Sequence, residues 1–269
     1  DYVYSSLDVL SYSAFADDGV RRTVWGEKFT HFLPLYLTPD HYAAAKPALR
    51  STLRTVLGNT PSWRHLRGQY RPEMALDLLP KLLSTMVVLL VDKGVSASDV
   101  FLDGFVQVYR LLLAIADEHP HLRTDVTRRV RGFIADEARR AKDAESNLGV
   151  LVPLLALCNG LRWCDLAWPL LEELMDRGVL WACKEHPELA DPTKLDADEA
   201  LALAFGARKV ANRLLMFSVG FLSRLSKLKT EQLDAFHGQP TPWLRTSMRQ
   251  HIAKVFDAQS WPDYFGLIN

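Results

Sequence analysis

The strongest constraint in this sequence is the apolar stretch between Pro72 and Pro120, which has the pattern of two long helices joined by a turn. In its second half, apolar residues recur at intervals of three or four and so form one face of a helix; they are Phe101, Phe105, Val108, Leu112 and Ile115. Further apolar residues widen this face, so the helix is apolar on more than one side. A helix that is apolar on several sides must be covered on several sides. The pattern therefore predicts a protein built of packed helices.

Local helix-start and helix-stop chemistry extends this prediction along the chain. Thr38 before Pro39 is typical of a helix start, and Gly58 is typical of a helix end. Similar boundaries predict helices over about 73–93, 97–118, 122–143, 147–157, 163–177, 179–184, 197–228 and 242–256, with Gly94 and Gly178 as helix ends. No window has the alternation of a strand bounded by hairpin turns. We therefore expect an all-α fold, an irregular stack of antiparallel helical hairpins that is α-solenoid-like or a helical bundle.

The first 36 residues differ from the rest because they are rich in aromatic residues without a helical period. These aromatic residues are Tyr2, Tyr4, Tyr12, Phe15, Trp25, Phe29, Phe32 and Tyr36. We expect residues 1–36 to form an N-terminal cap on the exposed end of the helical stack, with a peptide-binding aromatic surface as the alternative. Residues 37–269 are then expected to form a single helical-repeat-like domain.

Composition limits the classes of partner. The chain has 32 Lys and Arg against 32 Asp and Glu, so the electrostatic footprint of a nucleic-acid or membrane-surface protein is missing. The uncharged apolar run Leu148–Leu161 is too short to cross a bilayer.

An odd set of three cysteines argues against a disulfide-stapled secreted domain and for an intracellular location, cytoplasmic or nuclear. A chain that begins with Asp is expected to be part of a larger protein.

The sequence has none of the short motifs that enforce a mechanism, such as a phosphate loop, a dinucleotide fingerprint or a zinc-protease helix. We therefore predict no cofactor and no catalytic residue. The weak candidate for a metal site is Cys158, Cys164, Cys183 and His186, whose thiolates and imidazole suit zinc but whose spacing does not. Packed free cysteines are the main interpretation of these thiols, and a cysteine nucleophile paired with His186 or His237 is a further alternative.

The candidate partner-binding residues lie in two basic clusters. The first is the loop at 59–72, which mixes cations with aromatic residues: Trp63, Arg64, His65, Arg67, Tyr70 and Arg71. In that loop, Trp63 is expected to anchor the backbone rather than to stack on a base. The second cluster lies on the helix at 122–143 and includes Arg128 and Arg131. Acidic residues at helical spacing can pair with it, so the alternatives are a solvated face, an acidic protein partner and RNA phosphate.

Short echoes recur along the chain, with VDKGV at 91–95 similar to MDRGV at 175–179 and EHPHL at 118–122 similar to EHPEL at 185–189. Together with hairpins that end in Gly or Pro, they give residues 38–257 a fold-level resemblance to HEAT or armadillo-type helical repeat domains. The segment LPKLLSTMVVLLVDKGVSASD also resembles helices of large eukaryotic multidomain proteins, some of which carry ubiquitin-system modules. The resemblance implies a scaffold that is part of a larger chain, and it transfers no functional residue.

The resulting expectation is a protein-protein interaction or scaffolding domain. It would bind a partner protein, or another region of its parent chain, through a helical face or the 59–72 loop. The principal alternative is a helical enzyme whose polar residues converge only in three dimensions. The third possibility is an RNA-binding helical repeat, in which Arg64, Arg67, Arg71, Arg128 and Arg131 would form one stripe.

Overall fold

A computed structural model describes residues 7–22, 26, 28, 31–36, 38–93, 99–191, 193–225, 228 and 230–269. These residues are mostly helical, which confirms the all-α character. The helices are α1 Tyr12–Ala16, α2 Pro39–Leu57, α3 Met74–Lys93, α4 Asp99–Glu118, α5 His121–Ala135, α6 Leu151–Leu155, α7 Trp163–Glu185, α8 Ala197–Ala207, α9 Lys209–Leu225, α10 Thr230–Asp234, α11 Pro242–Asp257 and α12 Trp261–Ile268. The helix end predicted at Gly94 and the N-terminal aromatics Tyr2, Tyr4, Trp25 and Phe29 lie outside the described residues.

Two short strands near the N-terminus were not predicted. β1 (Leu7–Ser11) and β2 (His31–Leu35) pair in parallel. A parallel pair needs a crossover connection in place of a hairpin turn, so the turn chemistry that identifies hairpins is missing. Pro34 removes a backbone N–H from β2, which is tolerable at the edge of a two-stranded sheet. The predicted cap at 1–36 and single domain from 37 to 269 remain predictions.

The predicted boundaries hold where local chemistry decides them. The Thr38 side chain accepts a hydrogen bond from the backbone N–H of His41 at 3.1 Å, and Pro39 follows as the first residue of α2. The Asp196 side chain caps α8 in the same way, in a capping box with Glu199. α5 is shorter than predicted because Asp136 takes an extended backbone and caps a separate 3₁₀ turn at Glu137–Arg139.

The prediction that Gly178 ends a helix is wrong. α7 continues through Gly178 to Glu185. A Cβ atom at Gly178 would lie 2.2 Å from Nε of Arg208, so the glycine admits a neighbouring side chain instead of ending the helix. The long helix predicted over 197–228 is also divided, since α8 ends at Ala207 and α9 begins at Lys209. The C-terminal residues form α12, with Ser260 as its N-cap.

The chain divides into two compact units. The first comprises Asp1–Leu79, Leu102–Leu122 and Lys229–Thr241. Its core includes β2, whose Leu33 is fully buried, and α2, which contacts that strand. Thr52 on α2 donates a hydrogen bond to the backbone carbonyl of Phe32 at 2.6 Å, and the Phe15 ring stacks on the Phe32 ring at 3.9 Å. β2 is therefore covered by side chains of α1 and α2.

The second unit comprises Pro80–Phe101, Arg123–Leu228 and Pro242–Asn269. α9 is its central helix, because it contacts α6, α8, α11 and α12. Its apolar face is buried along most of its length and includes Leu215, Met216, Phe217 and Leu225. Tryptophans at the edges tie the C-terminal helix to this core. Trp163 donates to the carbonyl of Ile268 at 2.7 Å, and Trp261 donates to the carbonyl of Leu201 at 3.1 Å.

Within the described part of the chain, one helical segment, Met74–Asp92 of α3, is long and apolar enough to cross a membrane. Its mean hydropathy is 1.9, and 56% of it is buried inside the protein. A mostly buried core helix of a soluble protein passes the same test of length and composition, so this is weak evidence for a span.

Candidate functional site

The loop between α2 and α3, residues 58–73 and hereafter the arginine loop, is ordered by turns of its own. Gly58 follows α2, and Thr60 donates from its hydroxyl to the carbonyl of Leu57 at 2.7 Å. A single 3₁₀ turn at Arg64–Leu66 follows. Arg67 then has a φ of 50° and Gly68 a φ of 77°, so the chain reverses through two residues in the left-handed region. The backbone conformation thus holds the arginines of the loop at defined positions.

Trp63 anchors this loop, as expected from the sequence. Its indole N–H donates to Oδ2 of Asp77, in the first turn of α3, at 2.6 Å. A short hydrogen bond to a charged acceptor is stronger than one between neutral groups. Trp63 is half-buried by this contact. It therefore fixes the loop to α3 and is not available as a freely exposed stacking surface.

The arginines of the loop are exposed and unpaired. Arg64, Arg67 and Arg71 are exposed, and none of them forms an ion pair with any residue that the structure describes. His65 is exposed beside them. The nearby carboxylates are already engaged, because Asp77 accepts from Trp63 and Glu73 contacts His121 at 3.2 Å. The loop therefore presents three guanidinium groups whose charge is not neutralised locally.

Tyr70 belongs to the inner side of this loop. It is half-buried, and the guanidinium of Arg50 lies 5.6 Å from the centre of its ring. Burial raises the pKa of the Tyr70 hydroxyl, with the Arg50 charge acting in the opposite direction. Arg50 also contacts Glu118 at 3.5 Å. Tyr70 thus stays neutral at physiological pH and supports the loop against α2.

The second predicted cluster lies in the second unit, on α5. Arg128 pairs with Asp125 at 2.9 Å, one helical turn earlier. Arg131 and Arg128 line a surface depression of about 420 Å³ together with Thr124, Thr127 and Asn159. The stripe predicted to join these two residues to the arginine loop stays a prediction, since the two clusters belong to different units.

The structure does not bring the four residues of the weak candidate metal site together. Cys158, Cys164 and Cys183 are free thiols, and Cys164 is exposed. His186 instead lies 3.5 Å from Glu188. Among the described residues, no group of three His, Cys, Asp or Glu side chains is arranged to hold a metal ion. Burial raises the pKa of the Cys158 thiol to about 11, so it is not activated as a nucleophile.

A concave site that the sequence did not predict lies in the second unit. It is an open groove of about 640 Å³ formed by α3, α7 and the junction of α8 with α9, hereafter the Arg208 groove; its lining includes Val88, Leu174, Gly178, Trp181, Arg208 and Leu214. Arg208 is its only buried cation among the described lining residues. The useful sequence signal was Gly178, a glycine inside a helical pattern, which indicates close packing as well as a helix end.

Comparison with known proteins adds no family. No protein-family model, no curated protein and no solved structure matches the chain. The fold-level resemblance to HEAT or armadillo repeats therefore stays a prediction from the sequence.

Proposed function

We propose that this chain is a protein-interaction domain and that its arginine loop binds an acidic segment of a partner protein or of its own parent chain. One observation carries the proposal: Arg64, Arg67 and Arg71 are exposed and form no ion pair with any described residue, on a loop that Trp63 fixes to α3. Guanidinium groups bind carboxylates with two parallel hydrogen bonds, which suits Asp and Glu side chains.

Preorganisation supports this proposal. A loop that is already ordered loses less conformational entropy on binding than a flexible loop does. The turn at Arg64–Leu66 and the Trp63 bond to Asp77 at 2.6 Å restrict the backbone before any partner arrives. The guanidinium groups can then pair with carboxylates while only their side chains become ordered.

An acidic protein segment suits the loop better than RNA does. Sequence-tolerant RNA binding commonly adds stacking of bases on exposed aromatic rings. Here Trp63 and Tyr70 are both half-buried and engaged with α3 and α2. The whole chain also has a formal net charge of zero. The loop therefore offers local charge, while its Trp and Tyr rings are not free to stack on bases.

The finer fold and the cellular setting form part of the same proposal. We infer that the helices stack as antiparallel hairpins in the manner of a HEAT or armadillo-like solenoid, in a multidomain parent protein inside the cell. The three free cysteines support a reducing compartment.

The test is a charge-reversal experiment with a matched control. The variant carries Arg64→Glu, Arg67→Glu and Arg71→Glu. The control carries Arg139→Glu, Arg162→Glu and Lys194→Glu, three exposed cations that each pair with an aspartate three residues away. Both variants change the net charge equally. Binding is measured by fluorescence anisotropy with a labelled Glu-rich peptide and with a single-stranded RNA of equal length.

We expect the wild-type chain to bind the acidic peptide, and the loop variant to lose at least about tenfold in affinity, because reversal converts attraction into repulsion. The control should stay within about twofold of the wild type. Equal loss in both variants would show a nonspecific charge effect and overturn the proposal. Tighter binding of RNA, with the same dependence on the loop, would replace it with the RNA-binding alternative.

A further inference from the structure

The Arg208 groove contains a charge that the fold does not neutralise. The Arg208 side chain is only 6% exposed. Its Nη2 donates to the carbonyl of Leu174 and its Nη1 contacts Sδ of Met175, both at 2.7 Å. Nε is buried without a hydrogen-bond partner. No carboxylate of the described residues lies within ion-pair distance of this guanidinium.

This arrangement differs from that of Arg110, which is fully buried. Arg110 in the first unit has a carboxylate partner, Asp234. Arg208 has weaker compensation, since its acceptors are a carbonyl and a thioether, and the Trp261 ring lies 5.7 Å away. Burial lowers the pKa of Arg208, which is the direction expected for a cation that lacks a counter-ion. A buried cation of this kind normally requires an anion close by.

Gly178 leaves space beside α7 for the guanidinium of Arg208. A Cβ at Gly178 would lie 2.2 Å from Nε and 2.3 Å from Cζ of Arg208. A glycine in the interior of a helix costs roughly 0.5–1 kcal/mol relative to alanine. Gly178 lies inside α7, so this cost is incurred at a position that Arg208 approaches closely. The close approach of Arg208 to α7 thus depends on the glycine at position 178.

The other charges of the groove do not satisfy Arg208. Arg177 also lines it, but Nε of Arg177 donates to Glu173 at 2.7 Å. Asp92 is exposed, and it forms no ion pair with Arg208. The rest of the lining is apolar: Val88, Leu174, Trp181, Ala207, Val210, Ala211 and Leu214, beside Gly178. An apolar groove with one buried cation matches an apolar ligand with one anionic end.

We propose that the Arg208 groove binds a medium-chain fatty carboxylate, with the carboxylate paired to Arg208 and the hydrocarbon chain along Leu174, Trp181 and Leu214. A volume of about 640 Å³ is within the range of small-molecule pockets, roughly 300–1,000 Å³. Trp181 is 50% exposed at the rim and would cover the chain. This site is separate from the proposed protein-binding loop, which belongs to the first unit.

A fatty chain fits this lining better than a polypeptide does. Each residue of a peptide brings a backbone N–H and a carbonyl that need partners when buried. The groove offers few polar partners besides its charged residues, whereas a polymethylene chain needs none. Arg208 then supplies the single polar contact that fixes the orientation of the ligand.

Calorimetric titration of the intact chain with decanoate and with decan-1-ol tests the proposal, because the two probes differ only in the head group. We expect decanoate to bind at least about tenfold more tightly. Arg208→Met should abolish this preference while the protein stays folded, since an apolar replacement removes the buried charge itself. Circular dichroism and thermal melting check the fold of each variant.

A second pair of variants tests the hydrocarbon contact independently of Arg208. Trp181→Ala should weaken both probes. Trp168→Ala is the matched control, because Trp168 is on the same helix and 73% exposed but does not line the groove. Three outcomes would overturn the proposal: no saturable binding of decanoate, an equal affinity for decanol, or an unchanged preference in Arg208→Met. An apolar peptide with a free C-terminal carboxylate that binds more tightly than decanoate would assign the groove to a polypeptide instead.

Discussion

Gly220 of α9 lies directly against His251 of α11, so closely that a Cβ at Gly220 would be 1.9 Å from Nε2 of the imidazole. His251 is buried, and its Nε2 donates to the carbonyl oxygen of Met216 at 2.8 Å. The glycine thus lets α11 approach α9 in the core of the second unit. This contact has consequences for stability and for its dependence on pH.

Gly220→Ala should destabilise the protein by about 1–3 kcal/mol, because the added methyl group overpacks a buried contact. Gly206→Ala is the matched control, since Gly206 is also helical and has no atom within 4 Å of its hypothetical Cβ. That change should be neutral or stabilising by roughly 0.5–1 kcal/mol. Urea denaturation measures both. If the two variants shift the midpoint equally, the contact with His251 does not constrain the core.

His251 should make the fold less stable at acidic pH. Burial lowers its pKa in the folded state, more than the hydrogen bond to the Met216 carbonyl raises it, and the charges of Arg224 and Lys254 lower it further. The unfolded chain, with an ordinary histidine pKa of about 6.5, then binds more protons than the fold. The contribution of His251 to stability is therefore present above about pH 6.5 and is lost as the pH falls through the lowered pKa.

The measurement is the urea midpoint of the wild type and of His251→Gln between pH 8 and pH 5. Because the two proteins share every other histidine, the difference between the two profiles isolates His251. We expect the wild type to lose more stability below about pH 6.5, with a slope of at most about 1.4 kcal/mol per pH unit for one proton. If the urea midpoints of the two proteins fall equally as the pH is lowered, the core does not keep the His251 imidazole neutral.

The boundaries of α2 were predicted correctly and the helix end at Gly178 was not, and the difference shows which features a sequence alone can predict. Thr38, Pro39 and Gly58 act on the backbone beside them, so their effect can be derived from a few adjacent residues. Gly178 and Gly220 are needed for partners that come later in the chain, Arg208 and His251. The sequence alone does not indicate which side chain approaches a glycine. A helix-end prediction at Gly178 was therefore reasonable and wrong.

The two candidate sites differ in the same way. The arginine loop was predictable because cations mixed with aromatic residues between a helix end and a proline are visible as a local pattern. The Arg208 groove was not, because Arg208 follows the glycine-containing end of α8 and resembles an ordinary solvated cation. Its burial depends on Leu174 and Gly178 of α7, which only tertiary packing brings near it.

Asp234→Asn should destabilise the first unit strongly. Arg110 on α4 is fully buried, and it donates from Nε to Oδ1 of Asp234 and from Nη1 to the carbonyl of Tyr36 at 2.6 Å. The substitution keeps the shape of the side chain but removes the negative charge, which leaves a buried cation uncompensated. We expect a loss of about 3–5 kcal/mol in the free energy of unfolding.

The control for Asp234→Asn is Asp125→Asn, which removes the carboxylate of the exposed pair with Arg128. Surface pairs contribute roughly 0–1 kcal/mol, so this variant should be almost unchanged. The comparison is made by urea denaturation at two salt concentrations, because salt screens the exposed pair and not the buried one. Similar losses in both variants would contradict a buried, essential pair.

An asymmetric ion pair joins α5 to the turn that follows it. Arg129 donates from Nε and Nη2 to both oxygens of Glu145, at 2.7–2.9 Å. The Glu145 side chain is only 6% exposed, whereas the Arg129 side chain is 39% exposed. Loss of one partner should therefore have a different effect from loss of the other, since only the arginine can regain water.

Arg129→Met should destabilise the second unit by about 3–5 kcal/mol, because it leaves the Glu145 carboxylate buried without a counter-charge. Glu145→Gln should cost about 1–2 kcal/mol, since it leaves a half-exposed guanidinium with an amide acceptor. The double variant Arg129→Met/Glu145→Leu removes both charges and should recover most of the loss. A double-mutant cycle from urea midpoints measures the coupling. If Glu145→Gln is as damaging as Arg129→Met, the hydrogen-bond geometry of the pair matters more than the unequal burial of its charges.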